Sequence, residues 1–475
     1  MKKLLLPLLA LVLLHVDVRA QSNKSNTGIN GPAVDERVEL TSIAARLAEY
    51  DEYNNDVNKL YVQDIHQYFD KYKDHPLIKY MREIRDANGI GFDAVATMAI
   101  HLSPPPSLTP IVKFSADVPD KRWGLATAMK FDTLLRQFYK DSHFDAFFKA
   151  HAQLYATAIM HFDSLYRQLD VNWYYKYYGI KPRGSFNIII ALGNGGANYG
   201  PKVIFPDGSE KLYAIMGAWK FNRDGSPSFN DRDYLPTLIH EFNHSFVNYL
   251  TDENKDKLTA SGDIIYQADA KKMSRLAYGD WKTMMSEALV RASVIRYLQT
   301  HYQDTTVAEK EMQSQLAVGF VWIKKLVGLL GVYEANRQTY QTLEGFMPRI
   351  AEFYTSTAGN INTLISDYAK DLPHVASIEP AIQGDTTVDP GLKQIKVYFD
   401  KPLAGKGVSI GYGRSGESHY PSLKFLGYAD GNKAILIQLD LKPNTDYEFV
   451  LLGLAFKTPD GHPLENYYIS FKTRK

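Results

Sequence analysis

His240, Glu241 and His244 are the residues whose types and spacing most directly suggest chemistry. They lie in the run Asp-Tyr-Leu-Pro-Thr-Leu-Ile-His-Glu-Phe-Asn-His-Ser-Phe-Val-Asn-Tyr-Leu, residues 233–250. Leu235, Leu238, Ile239, Phe242 and Phe246 recur at three to four residues, which predicts a helix with one buried face. Asp233 is the expected N-cap, with Pro236 in the first turn. On such a helix, histidines four apart project from one face about 6 Å apart along the axis. Both imidazoles can then reach one Zn²⁺ at about 2.0–2.1 Å. Glu241 adjoins the first histidine and can reach a water on the ion without being a ligand. The chemistry that suits these residues is metal-assisted hydrolysis, with Glu241 as general base.

A catalytic zinc takes three protein ligands and keeps a fourth position open. A third histidine six residues after His244 is excluded, because that position is Leu250. The expected ligand is Glu287, in an apolar helical stretch between Met284, Met285, Ala288 and Leu289. A carboxylate buried there without a partner is costly. A metal would relieve that cost, and so would an ion pair with Arg291 one turn on. Asp263, Asp269 and His301 are the rival ligands. Asn248, one turn past His244, could orient that imidazole. Tyr297, Tyr266, Tyr278 and His301 are the candidates for stabilising an oxyanion.

Other chemistries find less support. The chain has no cysteine, so thiolate metal sites, disulfides and cysteine nucleophiles are impossible. Its 54 basic and 53 acidic residues give a net charge of +1, and nucleic acid is not an expected partner. Gly193, Gly195 and Gly196 miss the dinucleotide-binding spacing, and a hairpin rather than a helix is expected after them. His143, His151 and His161 read as residues on helix faces.

The elements that must position the site follow from pattern. Lys2 and Lys3, the apolar run Leu4–Leu14, and Val18 and Ala20 before Gln21 predict a signal peptide over residues 1–20. The run is shorter than the roughly 20 residues of a membrane span. The expected location is therefore outside the cytoplasm, in the periplasm or exterior of a bacterium. Residues 21–34 read as a flexible leader and 35–180 as a helical N-terminal region. The short apolar run Phe186–Leu192 predicts a buried strand. Lys202–Phe205 and Leu212–Trp219 flank Pro-Asp-Gly-Ser and predict a hairpin. Helices return from Asp233, and Lys324 and Lys325 make the apolar run Val318–Val332 a core helix rather than a span. After residue 373, alternating runs predict an all-β sandwich over 373–475: Ile395-Val397-Phe399, Ile435-Ile437-Leu439, Tyr447-Phe449-Leu451 and Ile469-Phe471.

His240-Glu241-Phe-Asn-His244 with Glu287 downstream resembles the gluzincin zinc metallopeptidases, the thermolysin-like group. The stretch from Asp35 to Tyr368 is similar to an uncharacterised family of exported gluzincin-like proteins found largely in Bacteroidetes. The run Asp-Glu-Arg-Val-Glu-Leu-Thr-Ser-Ile (35–43) and the segment Ser-Glu-Ala-Leu-Val-Arg-Ala (286–292) carry that similarity. The resemblance implies a multidomain protein with a helical, α+β gluzincin-like core over 181–372. It also implies Zn²⁺ on His240, His244 and Glu287, Glu241 as base, and a peptide or protein substrate. The 42 residues between His244 and Glu287 exceed the thermolysin spacer. A strand at Tyr213–Trp219 would then hold an extended peptide by backbone pairing. The C-terminal segment resembles bacterial Ig-like domains, in which Tyr447 would anchor a loop through its hydroxyl. The alternative function is a non-catalytic zinc-containing protein that binds a glycan or a protein partner.

Overall fold

The computed structural model describes residues 29–55, 58–180, 184–276 and 278–475. The expected signal peptide lies outside them. The chain forms two compact units that do not follow sequence order. The first comprises residues up to Val171 together with Arg183–Ser228, and the second comprises Asn172–Pro182 and Phe229–Lys475.

In the first unit the described helices are α1 (Glu36–Leu47), α2 (Lys59–Phe69), α3 (Pro76–Asn88), α4 (Asp93–Ile100), α5 (Gly124–Asp141), α6 (Phe144–Ala150) and α7 (Ala152–Tyr166). Its strands are β1 (Ile29–Ala33), β2 (Gly184–Ala191), β3 (Asn198–Tyr199), β4 (Lys202–Ile204) and β5 (Glu210–Gly217). β2 pairs in parallel with β5 along its whole length, and β1 adds in parallel to the other edge of β2. Ile188–Ala191 and Leu212–Met216 are buried, as expected of parallel strands covered on both faces. The predicted hairpin forms, with β4 antiparallel to β5 and the Phe205 N–H donating to the Ser209 carbonyl.

Two expectations are corrected here. Residues 29–33, read as part of a polar leader, form β1. Their Gly- and Asn-rich composition carries no strand signal, and the free edge of β2 supplies the pairing. The second correction concerns peptide binding along Tyr213–Trp219. Both edges of β5 are already occupied, one by β2 and the other by β3, β4 and the Pro201 carbonyl that accepts from the Tyr213 N–H. Along Tyr213–Gly217 an added strand would have to displace these partners.

α1 is buried on all sides, Glu39 included. The Glu39 carboxylate accepts from the Leu192 N–H at 2.7 Å, the Gly193 N–H at 3.1 Å and the Tyr61 hydroxyl at 2.9 Å. It braces the glycine loop after β2, and burial pushes its carboxyl above the usual range. Gly195 in that loop has φ +73°, and a Cβ there would meet the Glu52 carbonyl oxygen at 2.3 Å. The glycines thus serve a tight packed turn.

The second unit contains α8 (Val171–Tyr178), α9 (Asp231–Glu253), α10 (Lys255–Ala268), α11 (Ala270–Arg275), α12 (Trp281–His301), α13 (Thr305–Ala317), α14 (Ile323–Ala335) and α15 (Leu343–Asp371). α12 is central and packs against α9, α10, α13 and α14. α14 takes up the apolar run around Lys324 and Lys325. Among the described residues, no helix is long and apolar enough to cross a membrane.

The sandwich begins at Val375. One sheet orders β6 (Val375–Glu379), β7 (Gln394–Phe399), β10 (Ala434–Asp440) and β9 (Ser422–Ala429) as β6-β7-β10-β9. The other orders β12 (Tyr467–Lys472), β11 (Asp446–Leu451) and β8 (Ile410–Tyr412) as β12-β11-β8. Every residue of the four alternating runs lies in the shared core. The Tyr447 hydroxyl accepts from the Lys442 N–H at 2.7 Å, tying the β10–β11 connection to the core. Tyr447→Phe is expected to lower stability by about 0.5–1.5 kcal/mol, read by denaturation of the full chain. Unchanged stability would show that this bond does not hold the corner.

Candidate metal centre

α9 begins three residues earlier than the sequence suggests. Asn230 is the N-cap, its side chain accepting from the Asp233 N–H at 3.0 Å. Pro236 therefore lies inside the helix rather than in its first turn. A proline there has no N–H for the carbonyl four residues before it. The buried face of Leu235, Leu238, Ile239, Phe242 and Phe246 is as expected, with Leu250 buried as well, and His240 and His244 share another face. α12 starts at the N-cap Asp280, whose side chain accepts from the Thr283 N–H at 2.7 Å. Two side-chain links join it to α9. The Thr251 and Ser286 hydroxyls meet at 2.7 Å, and the Asn243 amide donates to the Val290 carbonyl at 3.3 Å. This packing bridges the 42-residue gap and brings Glu287 opposite the histidines.

His240, His244 and Glu287 form a triangle. The two Nε2 atoms are 3.1 Å apart, His240 Nε2 is 3.5 Å from Glu287 Oε2, and His244 Nε2 is 3.4 Å from Glu287 Oε1. A tetrahedral ion with bonds of about 2.0–2.1 Å places its ligand atoms about 3.3–3.4 Å apart. The two imidazoles approach different oxygens of Glu287, and one ligand atom from each of the three residues lies within 4.8 Å of the others, close enough to share one ion. The side chains are 17%, 15% and 12% exposed, so the group is largely shielded.

Protonation suits the same purpose. His244 Nδ1 donates to Asn248 Oδ1 at 3.1 Å, which fixes the ring with Nε2 facing His240 and Glu287. Burial holds the His240 imidazole neutral, its pKa lowered to about 3. Burial also opposes charge on Glu287. The protonated forms of His240 and His244, then Arg291 and the Tyr278 hydroxyl, outweigh it and hold that carboxyl below the usual range. A neutral imidazole at His240 and a carboxylate at Glu287 are ligand states that a divalent cation requires.

Behind the triangle stands a support that sequence reasoning only glimpsed. The Tyr278 hydroxyl donates to Glu287 Oε2 at 2.9 Å, and Arg291 Nε lies 3.2 Å from the same oxygen. Arg291 Nη2 donates to the Tyr278 hydroxyl at 2.6 Å and Nη1 to Gln315 Oε1 at 2.8 Å. The Gln315 amide donates in turn to Glu311 at 2.5 Å. Arg291 was legible as an i+4 partner of Glu287, but Gln315 carried no signal. The triangle and the ion pair with Arg291 therefore coexist.

The rival residues are placed elsewhere. Asp263 is exposed, and Asp269 faces Lys272 at 3.7 Å. Tyr297 and His301 lie ten and fourteen residues beyond Glu287 on α12, about 15 and 21 Å along its axis. The Tyr266 hydroxyl donates to the Tyr278 carbonyl at 3.2 Å. Among the described residues, His240, His244 and Glu287 are the group able to hold a metal. Glu241 follows His240 directly and is 7% exposed.

Residues 32–353 match the family described as Domain of unknown function (DUF4932), and the chain belongs to that family. The matched region contains the whole triangle and its support and ends before the sandwich. No curated protein matches the chain in sequence. Among solved structures, the S-layer protein rSbsC(31-844) is similar at 15% identity and a TM-score of 0.17, over 72% of this chain and 41% of that one. Domains 1-6 of the surface layer protein SbsC are similar at 13% identity and a TM-score of 0.17, over 83% of this chain and 46% of that one. The chain thus spans less than half of either structure, and similarity of this degree carries no argument about fold or function.

Proposed function

We propose that this protein is an exported, gluzincin-type zinc metallopeptidase with an Ig-like C-terminal domain. The observation that carries the reading is the grouping of His240, His244 and Glu287, whose imidazole nitrogens and carboxylate oxygens approach to 3.1–3.5 Å, close enough to share one ion. Two imidazole nitrogens and one carboxylate oxygen, with a fourth position left over, are the donor set of catalytic zinc. The export rests on the basic, apolar and small-residue order of residues 1–20.

When bound, zinc supplies a Lewis acid that polarises a peptide carbonyl and acidifies a water. The chain's own residues do the rest. His240, His244 and Glu287 hold the position, and Asn248 fixes the His244 ring. Tyr278 and Arg291 fix the Glu287 carboxylate. Glu241 takes the proton of the attacking water and returns it to the leaving amine.

The test is a digest of a broad peptide library by the purified mature protein, with and without a chelator. Cleavage that stops with chelator and returns on adding Zn²⁺ is the expected result. A protein that retains stoichiometric metal yet cleaves nothing would instead support a structural metal in a binding protein.

A further inference from the structure

The second unit also contains a cavity of about 940 Å³ where α11, the end of α15 and the loops of the sandwich meet. Four cations line it: Lys271, Lys272 and Arg275 from α11, and Arg414 from the sandwich. Glu465 is the one carboxylate in the lining. Nothing in the composition demands this excess, since the whole chain carries only +1. Elsewhere Arg85, Arg122, Arg296 and Arg474 each hold a carboxylate within 3 Å. Here Lys272 reaches Asp269 at 3.7 Å, but among the described residues no carboxylate lies within 4 Å of Lys271, Arg275 or Arg414.

The rest of the wall is suited to more than charge. The Arg414 guanidinium stacks 4.2 Å over the Tyr468 ring, which fixes its plane and leaves its donor edge free for a bidentate oxyanion. The Tyr368 hydroxyl is buried with no hydrogen-bond partner. The Asn466 carbonyl oxygen is taken by the Gly453 N–H at 2.8 Å, so its amide N–H groups remain as donors. Glu465 can only accept.

We infer that this cavity binds an acidic saccharide, one that bears carboxylate or sulfate groups on hydroxylated rings. The anionic groups answer Lys271, Arg275 and Arg414. Ring hydroxyls supply the donors that Glu465 needs and the acceptors that Tyr368 and Asn466 need. The volume of about 940 Å³ falls in the range of ligand pockets. A polyphosphate offers acceptors alone and would be repelled by Glu465. The inference is independent of the hydrolytic reading, because no residue of the metal triangle lines the cavity.

The probe is oligogalacturonate of about the pocket's length, titrated into the full mature chain by calorimetry, with and without chelator. Saturable binding that survives chelation and weakens with added salt is expected. A neutral oligosaccharide of equal length should not bind. Arg275→Ala and Arg414→Ala should each weaken binding roughly tenfold, within the range for a hydrogen bond to a charged group. Arg414→Lys should also weaken it, because a lysine keeps the charge and loses the fork. Lys433→Ala, an exposed cation outside the cavity, should change nothing. The three arginine variants replace exposed side chains, and their circular dichroism will report any loss of fold. No binding, or binding indifferent to Arg275 and Arg414, overturns the site. Equal binding of pyrophosphate or polyglutamate shows that charge alone is read and overturns the saccharide.

Discussion

The Glu241→Gln protein is expected to keep its metal and its fold and to lose peptide hydrolysis by about 10²–10⁴-fold. Glutamine has the size and shape of glutamate, so the buried position after His240 is refilled without a cavity. What disappears is the ability to accept a proton. His240, His244 and Glu287 are untouched, so metal content should stay at the wild-type level. The measurement pairs metal analysis with turnover on the best peptide from the library digest. Turnover near wild type would remove Glu241 from the mechanism. Loss of turnover together with loss of metal would show that Glu241 supports the site rather than acting in the reaction.

Loss of Glu287 should have the second large effect, and on binding rather than on chemistry alone. Glu287→Ala deletes one corner of the triangle and leaves Arg291 and the Tyr278 hydroxyl facing a hole. Metal affinity should fall by more than the roughly 10–100-fold typical of losing a ligand's supporting partner. Tyr278→Phe should fall within that 10–100-fold range, because it removes one hydrogen bond from Oε2 while the ligand remains. Asp263→Ala should leave affinity unchanged, since that side chain is exposed and outside the triangle. Competition against a chelator of known affinity orders the variants. If Glu287→Ala bound Zn²⁺ as tightly as the parent, the third ligand would not be Glu287.

The sequence by itself determined whatever depends on short-range periodicity. His240 and His244 share a face because helix geometry puts residues four apart on one side. The buried face of α9 was legible for the same reason. In the sandwich, a period of two places Ile395, Val397, Phe399, Ile435, Ile437 and Leu439 on the core side whatever the strand order. Turn chemistry was also local, and Pro-Asp-Gly-Ser gave the hairpin between β4 and β5.

Tertiary structure alone decided what depends on pairing and on distance in sequence. Glu287 could be suspected from its apolar surroundings, but only the packing of α12 on α9 brings its oxygens within 3.4–3.5 Å of the imidazoles. Gln315, which holds Arg291, comes from a helix whose local pattern says nothing about its partner. Strand β1 has no propensity of its own and exists because β2 offers an unpaired edge. That β5 is paired on both edges follows from β2 on one side and β3 and β4 on the other, a pairing that no strand's own pattern specifies. The buried face of an element is written in its own residues, whereas the identity of its neighbour depends on every other element competing for the same surface.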